Sequence, residues 1–466
     1  MLLFRHLLLA AFLLLLSSSI AHQKPLSPPL TAEQQYGDAL EAIFSIAVRL
    51  QALLEDPDVP SNKNFMISPL SVALIVGQLM LGAEGRFRRD LYNLLSLPET
   101  NDEKSTIHYS NKHKNVTYSL PYSKLHLQLG SLVRALEGNA VSKAFTLQTT
   151  NGLFTNAGIK LKEEFLHNLQ IYDTDVQYVN FSTDPVGCMN KINNWASAHT
   201  NGVIKKILSE PLPPTAAAVF TNAIYFRADW ETPFSYLANI KGTFHSSKDE
   251  TVEVEYMRGF FEDIPYAESS KLNCTMIAFP YKNNELAMYF MLPKVNNGEE
   301  YNIRQFADNL KAKDVLEFIS QMRNYSVTIQ MPKMKLSNNL SVLKPLQRYY
   351  SFRRLQNSKN ETGDSLDVLE DRVDEFASFN TSRSKNVILT GAAENRRFRI
   401  ENILQQMTLS VDEKGTEAAA VSLSDSFYMN TKLFRIDRPF VFFIRHESTL
   451  ATLFWGTIVN PAEREW

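Results

Sequence analysis

Few polar side chains in this chain of 466 residues stand at spacings that support catalysis. The run H-E-S-T-L at His446 opens like a zinc-binding helix, but the second histidine required four residues on is absent. The nine histidines nowhere combine at metal-ligating spacing with a carboxylate third ligand. There is no G-x-S-x-G, no P-loop and no G-x-G-x-x-G, and nothing singles out one triad among the scattered Ser, His and Asp residues. The expectation is a chain that is not an enzyme and holds neither metal nor cofactor.

A different chemistry, that of a segment able to change its secondary structure, is legible between Asp412 and Phe440. Thr408–Asp412 alternates apolar and polar residues as a strand does, and Pro439–Ile444 is a continuous apolar run suited to a strand covered on both faces. The two dozen residues between them exceed an ordinary connection. Read as a strand, one phase is Thr416, Ala418, Ala420, Ser422, Ser424 and Ser426, all small. The other is Glu417, Ala419, Val421, Leu423, Asp425 and Phe427, which carries the bulk and the charge. Such a segment can enter a gap in a sheet, small side chains inward, without overpacking the layer beneath, and Gly415 supplies a hinge. Period alone leaves a short Ala-rich helix or a solvated linker open, since Glu417–Ala420 has good helix propensity.

The residues E-K-G-T-E-A-A-A, Glu413–Ala420, resemble the proximal hinge of inhibitory serpins, and F-R-I-D-R-P-F-V-F-F-I, Phe434–Ile444, is similar to that family's C-terminal signature. Two further stretches match. One is N-F-M-I-S-P-L-S-V-A-L-I-V-G-Q-L-M-L-G-A-E-G, Asn64–Gly85; the other is I-N-x-W…T-N-G-x-I…T-N-A-I-Y-F…W…P-F, ending at Trp230, Pro233 and Phe234. The resemblance covers essentially everything from about Gly37 to Pro461 except two expanded polar loops. It implies an α+β fold, the serpin fold, in one domain with three β-sheets, about eight or nine helices and an exposed reactive-centre loop.

The resemblance also implies a mechanism. A target serine protease of the chymotrypsin fold attacks the loop and forms an acyl-enzyme. The freed strand then enters the central sheet and traps the protease as a covalent one-to-one complex. By the family's spacing the bond cut is Met429–Asn430. Met429, with Phe427 and Tyr428 before it, suits chymotrypsin-like or elastase-like pockets. A slip to Tyr428 keeps that class, whereas a slip to Lys432 changes it to trypsin-like. The hinge comprises Glu413, Gly415, Thr416, Glu417, Ala418, Ala419 and Ala420. Ser68, Ser71 and Asn193 match the "shutter", a polar cluster beneath the strands that part. There Gln405 replaces the usual histidine and cannot become charged. Trp195 falls in the "breach", where the loop first inserts. The alternative is a non-inhibitory serpin, a small-ligand carrier, chaperone or storage protein, whose hinge typically carries bulky or charged residues.

The rest of the chain bounds the setting. A net charge of −2 with 21% charged residues gives no general reason to expect nucleic acid or acidic membranes as partners. In residues 1–21, Arg5 and His6 precede an apolar core Leu7–Leu16 and a small-residue end at Ala21, as in a cleavable signal peptide. The mature protein is therefore expected to be secreted and monomeric, with a Pro-rich disordered lead-in over 22–36 and the serpin domain over 37–466. Secretion gives meaning to the Asn-x-Ser/Thr sites at Asn115, Asn180, Asn273, Asn324, Asn339, Asn360 and Asn380. Cys188 and Cys274 are sufficient for one disulfide; the resemblance separates them and implies free thiols. Two polar insertions, about 100–124 and 350–398, depart from the family. The first scatters Lys104, His108, Lys112, His113, Lys114 and Lys124, for which polyanion binding competes with the plainer reading of a solvated loop.

Several elements must position the loop. Apolar spacing predicts a helix over Gly37–Leu54. A buried strand F-M-I-S then leads to a helix capped by Ser68 with Pro69 at its first position. Ala216–Phe226 is a long apolar strand for the centre of a sheet, and Asn190–Thr200 is helical.

Overall fold

The structure, a computed structural model, describes residues 30–53, 63–97, 106–111, 116–139, 145–295, 302–343, 387–394, 398–414 and 431–463. The expected signal peptide, the loop residues Gly415–Asn430, and Asn115, Asn360 and Asn380 lie outside them. No helix among the described residues is long and apolar enough to cross a membrane.

The first helix, α1 (Ala32–Leu53), begins earlier than its apolar period suggests. Thr31 and Gln34 form a reciprocal capping box: the Gln34 N–H donates to Thr31 Oγ1 at 3.3 Å and the Thr31 N–H to Gln34 Oε1 at 2.9 Å. The expected disordered lead-in therefore stops short of residue 31. Tyr36–Trp466 folds as one unit. After the short strand β1 (Phe65–Ile67), Ser68 caps α2 (Pro69–Gly82), its Oγ accepting from the Ser71 N–H as anticipated. All residues of α2 are buried, as a helix apolar on every side must be. The remaining helices are α3 (Gly85–Leu94), α4 (Ser123–Asn139), α5 (Glu163–Leu169), α6 (Pro185–His199), α7 (Ile303–Asp308) and α8 (Ala312–Ser320). Eight α-helices and three sheets thus make an α+β fold among the described residues.

The six-stranded sheet runs β12 (Met334–Ser341), β14 (Phe398–Val411), β6 (Ala218–Ala228), β4 (Phe145–Asn156), β5 (Asp175–Val179), with β13 (Val387–Leu389) on β14. The nine-stranded sheet starts with β1, β17 (Thr452–Ile458), β16 (Phe440–His446) and β10 (Leu286–Pro293). It continues through β9 (Cys274–Pro280), β8 (Thr251–Ser269), β11 (Arg323–Pro332) and β15 (Lys432–Arg435), with β7 (Ile240–His245) on β8. The third sheet is the hairpin β2 (Ile107–Asn111) and β3 (Val116–Leu120).

Helix α2 packs on β17 of one sheet and on β6 of the other, while α6 packs on β4. Along β6, Phe220 and Ile224 join the main core, and Val219 and Ala223 join a smaller cluster with Ile192 and Trp195 of α6. Both faces of β6 are therefore covered, which is why its sequence is apolar without alternation.

Within the described residues, parts of both expected insertions belong to the folded body. In the first, the β2–β3 hairpin is seated on α5, with the Ser119 N–H and Oγ donating to Glu164 Oε1 at 2.6 and 2.7 Å. Of its scattered basic residues only His108 and Lys124 are described, and the Lys124 ammonium is taken by Asp38 at 2.8 Å. In the second, 387–394 belongs to the core: Leu389, Ala392 and Ala393 are buried and the Gly391 N–H donates to Gly82 O. The insertion therefore ends earlier than the expected residue 398. Cys188 and Cys274 are both free and buried, and burial pushes the Cys274 thiol up to about 12. Asn180, Asn273, Asn324 and Asn339 are exposed, although the Asn339 amide also donates to Ile207 O at 2.8 Å.

One buried dyad ties α4 to the chain after α5. His126 is fully buried and shares a hydrogen bond with the Tyr172 hydroxyl, which sits against Gly77 of α2 where a Cβ would collide. Burial, helped by the positive charge of Arg88, lowers the His126 pKa to about 3. Because the folded value lies below the unfolded one, the stabilisation is complete above about pH 6.5 and drains away as pH falls toward 3. Between pH 6.5 and 5 the slope from this group rises from about 0.7 toward about 1.4 kcal/mol per pH unit. His446, also lowered by burial, adds to it with the same sign. In urea unfolding over that window, His126→Gln is expected to lose visibly less stability than the parent.

Candidate functional site at the hinge of the central sheet

In the six-stranded sheet β14 and β6 run parallel, paired from Ile400 opposite Ala218 to Thr408 opposite Tyr225 with one register shift between Ile400 and Asn402, while β12–β14 and β6–β4 are antiparallel. Parallel pairing is the slightly weaker kind. A polar row crosses the sheet at mid-height. Gln405 of β14 lies opposite Asn222 of β6, which lies opposite Asn151 of β4, and all three are buried. The Gln405 amide clasps the cap of α2 at two points, accepting from the Ser68 N–H at 3.2 Å and donating to Ser68 O at 3.3 Å. Asn222 Nδ2 donates to Asn151 Oδ1 at 3.1 Å, and Asn151 Nδ2 to Tyr172 O at 3.2 Å. Two atoms of the cluster, Ser71 Oγ and Asn222 Oδ1, are buried without a hydrogen-bond partner. Such orphans are uncommon in folded proteins and store unfavourable free energy.

Past Val411 the chain leaves the sheet and is caught by residues 230–234. The Trp230 indole donates to Asp412 O at 2.8 Å, the Trp230 N–H to Lys414 O at 3.1 Å and the Phe234 N–H to Glu413 O at 2.9 Å. Trp230 is itself fixed, stacked on Tyr281 with ring centroids 4.3 Å apart. Glu413 is 2% exposed, its carboxylate 2.7 Å from the Lys333 ammonium and hydrogen-bonded by the Asn239 amide. Burial alone pushes the Glu413 carboxyl up, but the bonds from Lys333 and Asn239 outweigh it and hold the group below its ordinary value. Asp412, half-buried beside it, is raised by burial.

The structure brings Ser68, Ser71 and Gln405 together, as expected, but not Asn193 or Trp195. Asn193 faces away from the polar row: its Oδ1 accepts from the N–H groups of Ile207 and Leu208 and its Nδ2 donates to Leu208 O, pinning the loop after α6. The asparagine of the row is Asn222. Trp195 donates to Asp175 Oδ2 at 2.9 Å and packs on Phe154, near Gly152 of β4 and two strands from β14. The tryptophan at the hinge is Trp230. Asn222 carried a readable signal, a lone amide in an apolar strand, and Lys333 another, a lysine that follows Pro332 between two strand-like runs. Neither sequence feature names its partner. At the far end of the loop, Lys432 opens β15 and pairs in parallel with Val327 of β11, so the two ends of the segment belong to different sheets.

Removing Lys333 would strand the buried Glu413 carboxylate. Lys333→Met is expected to destabilise by about 3 kcal/mol. Adding Glu413→Met should recover part of that loss, a coupling measurable by a double-mutant cycle on thermal unfolding.

Three comparisons bear on this arrangement. The family model described as "Serpin (serine protease inhibitor)" matches residues 41–461. "Serine protease inhibitor 28Dc" of Drosophila melanogaster is 26% identical over 415 residues, spanning 86% of this chain and 76% of that protein. "Serpin A3-7" of Bos taurus is 24% identical over 425 residues, spanning 90% and 87%. Among solved structures, human thyroxine-binding globulin in complex with thyroxine superposes with a TM-score of 0.70 at 23% identity, covering 92% of this chain and all of that one. That likeness speaks for the fold alone. With the family model spanning nearly the whole chain over a sheet and hinge of this geometry, the protein belongs to the serpin family.

Proposed function

We propose that the protein is a secreted inhibitor of a chymotrypsin-like or elastase-like serine protease, acting as a suicide substrate rather than as a catalyst. The parallel seam between β14 and β6 carries this reading. A strand that follows β14 through a turn runs antiparallel to β14, and therefore antiparallel to β6 as well. Its entry would exchange one parallel pairing for two antiparallel ones. The segment Thr416–Phe427 has the length for this, twelve residues or about 40 Å as a strand, against the 14 residues of β14. Its small phase would face the packed side.

The protease attacks the Met429 carbonyl, the serine oxygen forms an ester to it, and the Met429–Asn430 bond breaks with Asn430 as the leaving amine. The freed end then enters the seam, carrying the acylated protease with it. Burying a new strand between β14 and β6 supplies the driving force. The three bonds to the carbonyls of Asp412, Glu413 and Lys414 hold the hinge outside until then. The domain so described runs from about residue 37, with residues 1–21 removed on secretion and glycans on the exposed asparagines.

Incubation with chymotrypsin and with elastase, followed by denaturing electrophoresis and mass spectrometry, tests this. The expected result is a denaturant-resistant one-to-one complex and a released peptide beginning at Asn430. Cleaved protein should also unfold at a higher temperature than intact protein. Clean cleavage by both enzymes with no complex and no rise in thermal midpoint would instead favour a carrier or storage role. Oxidation offers a second check. Mild oxidant should convert Met429 to its polar sulfoxide and slow inhibition of the same protease, with little change in thermal stability.

A further inference from the structure

Lys432 is the only basic residue between Gly415 and Leu433, and its side chain, 41% exposed, rests against three neighbours. The ammonium lies 5.2 Å from the centre of the Tyr266 ring and 5.7 Å from that of Tyr325, two rings that meet edge-on at 5.6 Å. It is also 3.4 Å from Glu268 Oε1. That carboxylate is shared: Lys294 binds Oε2 at 2.7 Å and the Tyr266 hydroxyl donates to Oε1 at 2.8 Å. Lys294 first, then Tyr266, hold the Glu268 carboxyl down at about 2, so it is ionised wherever a protease works. The strand that Lys432 opens is short. β15 is a four-residue edge strand, paired in parallel to β11, with Phe434 buried and Leu433 69% exposed.

The placement of β15 matters because the loop is tethered at both ends. β11 ends at Pro332 and β12 begins at Met334, opposite Val411, so β11 and β15 lie off the hinge end of the six-stranded sheet. An uncut loop lying fully in the seam would put Phe427 about 40 Å along the sheet from the hinge. The residues from Phe427 to Lys432 reach at most about 18 Å. The intact loop therefore cannot occupy the seam fully while β15 stays on β11, whereas a loop cut at Met429 is free of that tether.

We propose that Lys432 is a positioning residue: seated on Tyr266, Tyr325 and Glu268, it anchors the distal end of the loop. The anchor withholds the loop's one basic side chain from trypsin-like proteases and withholds the intact loop from the sheet. This rests on the reading of 415–431 as a loop that can insert, and the test separates the two. Parent, Lys432→Met, Lys432→Arg and Glu268→Gln are incubated uncut at physiological temperature, and intact mass, susceptibility to cleavage in the loop and thermal midpoint are followed with time. Lys432→Met is expected to pass into an uncut, cleavage-resistant, more heat-stable form roughly fivefold faster than the parent or more. Lys432→Arg, which keeps charge and ring contacts, should stay within about twofold. Glu268→Gln should fall between them and serves if Lys432→Met does not fold. Trypsin should release no peptide beginning at Leu433 from the parent. Such a peptide overturns the proposal, as does conversion of the neutralised variants at the parent rate while the protease-cut parent gains heat stability. If the cut parent gains none, it is the insertion reading that fails.

Discussion

The constraint on which this structure turns is the direction of two strands. β14 and β6 could pair parallel only because the chain between them, from Ala228 to Phe398, travels through the other sheet before returning. Local connection would have made them a hairpin, and a hairpin has no gap for a third strand. The long excursion costs folding speed, since distant segments must meet before the sheet closes. What it leaves is a seam whose neighbours are both correctly oriented for a strand arriving from the end of β14. The helix beneath, the polar row and the clasp at the hinge all sit along that seam.

The polar row sets the middle of the seam apart from the apolar sheet around it. Amides buried in the middle of a sheet are unfavourable unless bonded, and here the bonding is partial: Gln405 is satisfied by the cap of α2, while Asn222 keeps one atom unpaired. An apolar row would have packed more tightly and bound the sheet to α2 without distinction. With Gln405 in place of histidine, the row has no group that titrates near neutrality, so this junction is indifferent to mild acid. The groups that burial makes acid-sensitive are His126 and His446, outside the row.

How much of this was legible depended on the kind of signal. Periodicity reports which way a side chain faces, so the all-round apolar α2 and the central β6 could be read directly. The first-turn start of α1 was equally readable from Thr31 and Gln34, and apolar spacing alone missed it. Partnership is another matter. Asn193 and Trp195 stand in a matching series with Asn222 and Trp230, and nothing in residue type says which asparagine reaches the polar row or which indole reaches Asp412. That is decided by strand register and by the route of 230–234 past the hinge. The partner of Lys333 was hidden for the same reason, because its meaning is a contact across 80 residues of sequence.

Lys333 also has a covalent role. It is the single residue between β11, which carries the strand at the loop's distal end, and β12, which flanks the strand at its proximal end. Its side chain grips Glu413 and its backbone N–H is bonded to Glu255 of β8. The two moorings of the loop are thus wired in series through one amino acid, with hardly any slack. A load applied at either mooring is felt at the other as tension in that link, so the two ends of the loop behave as one mechanical circuit.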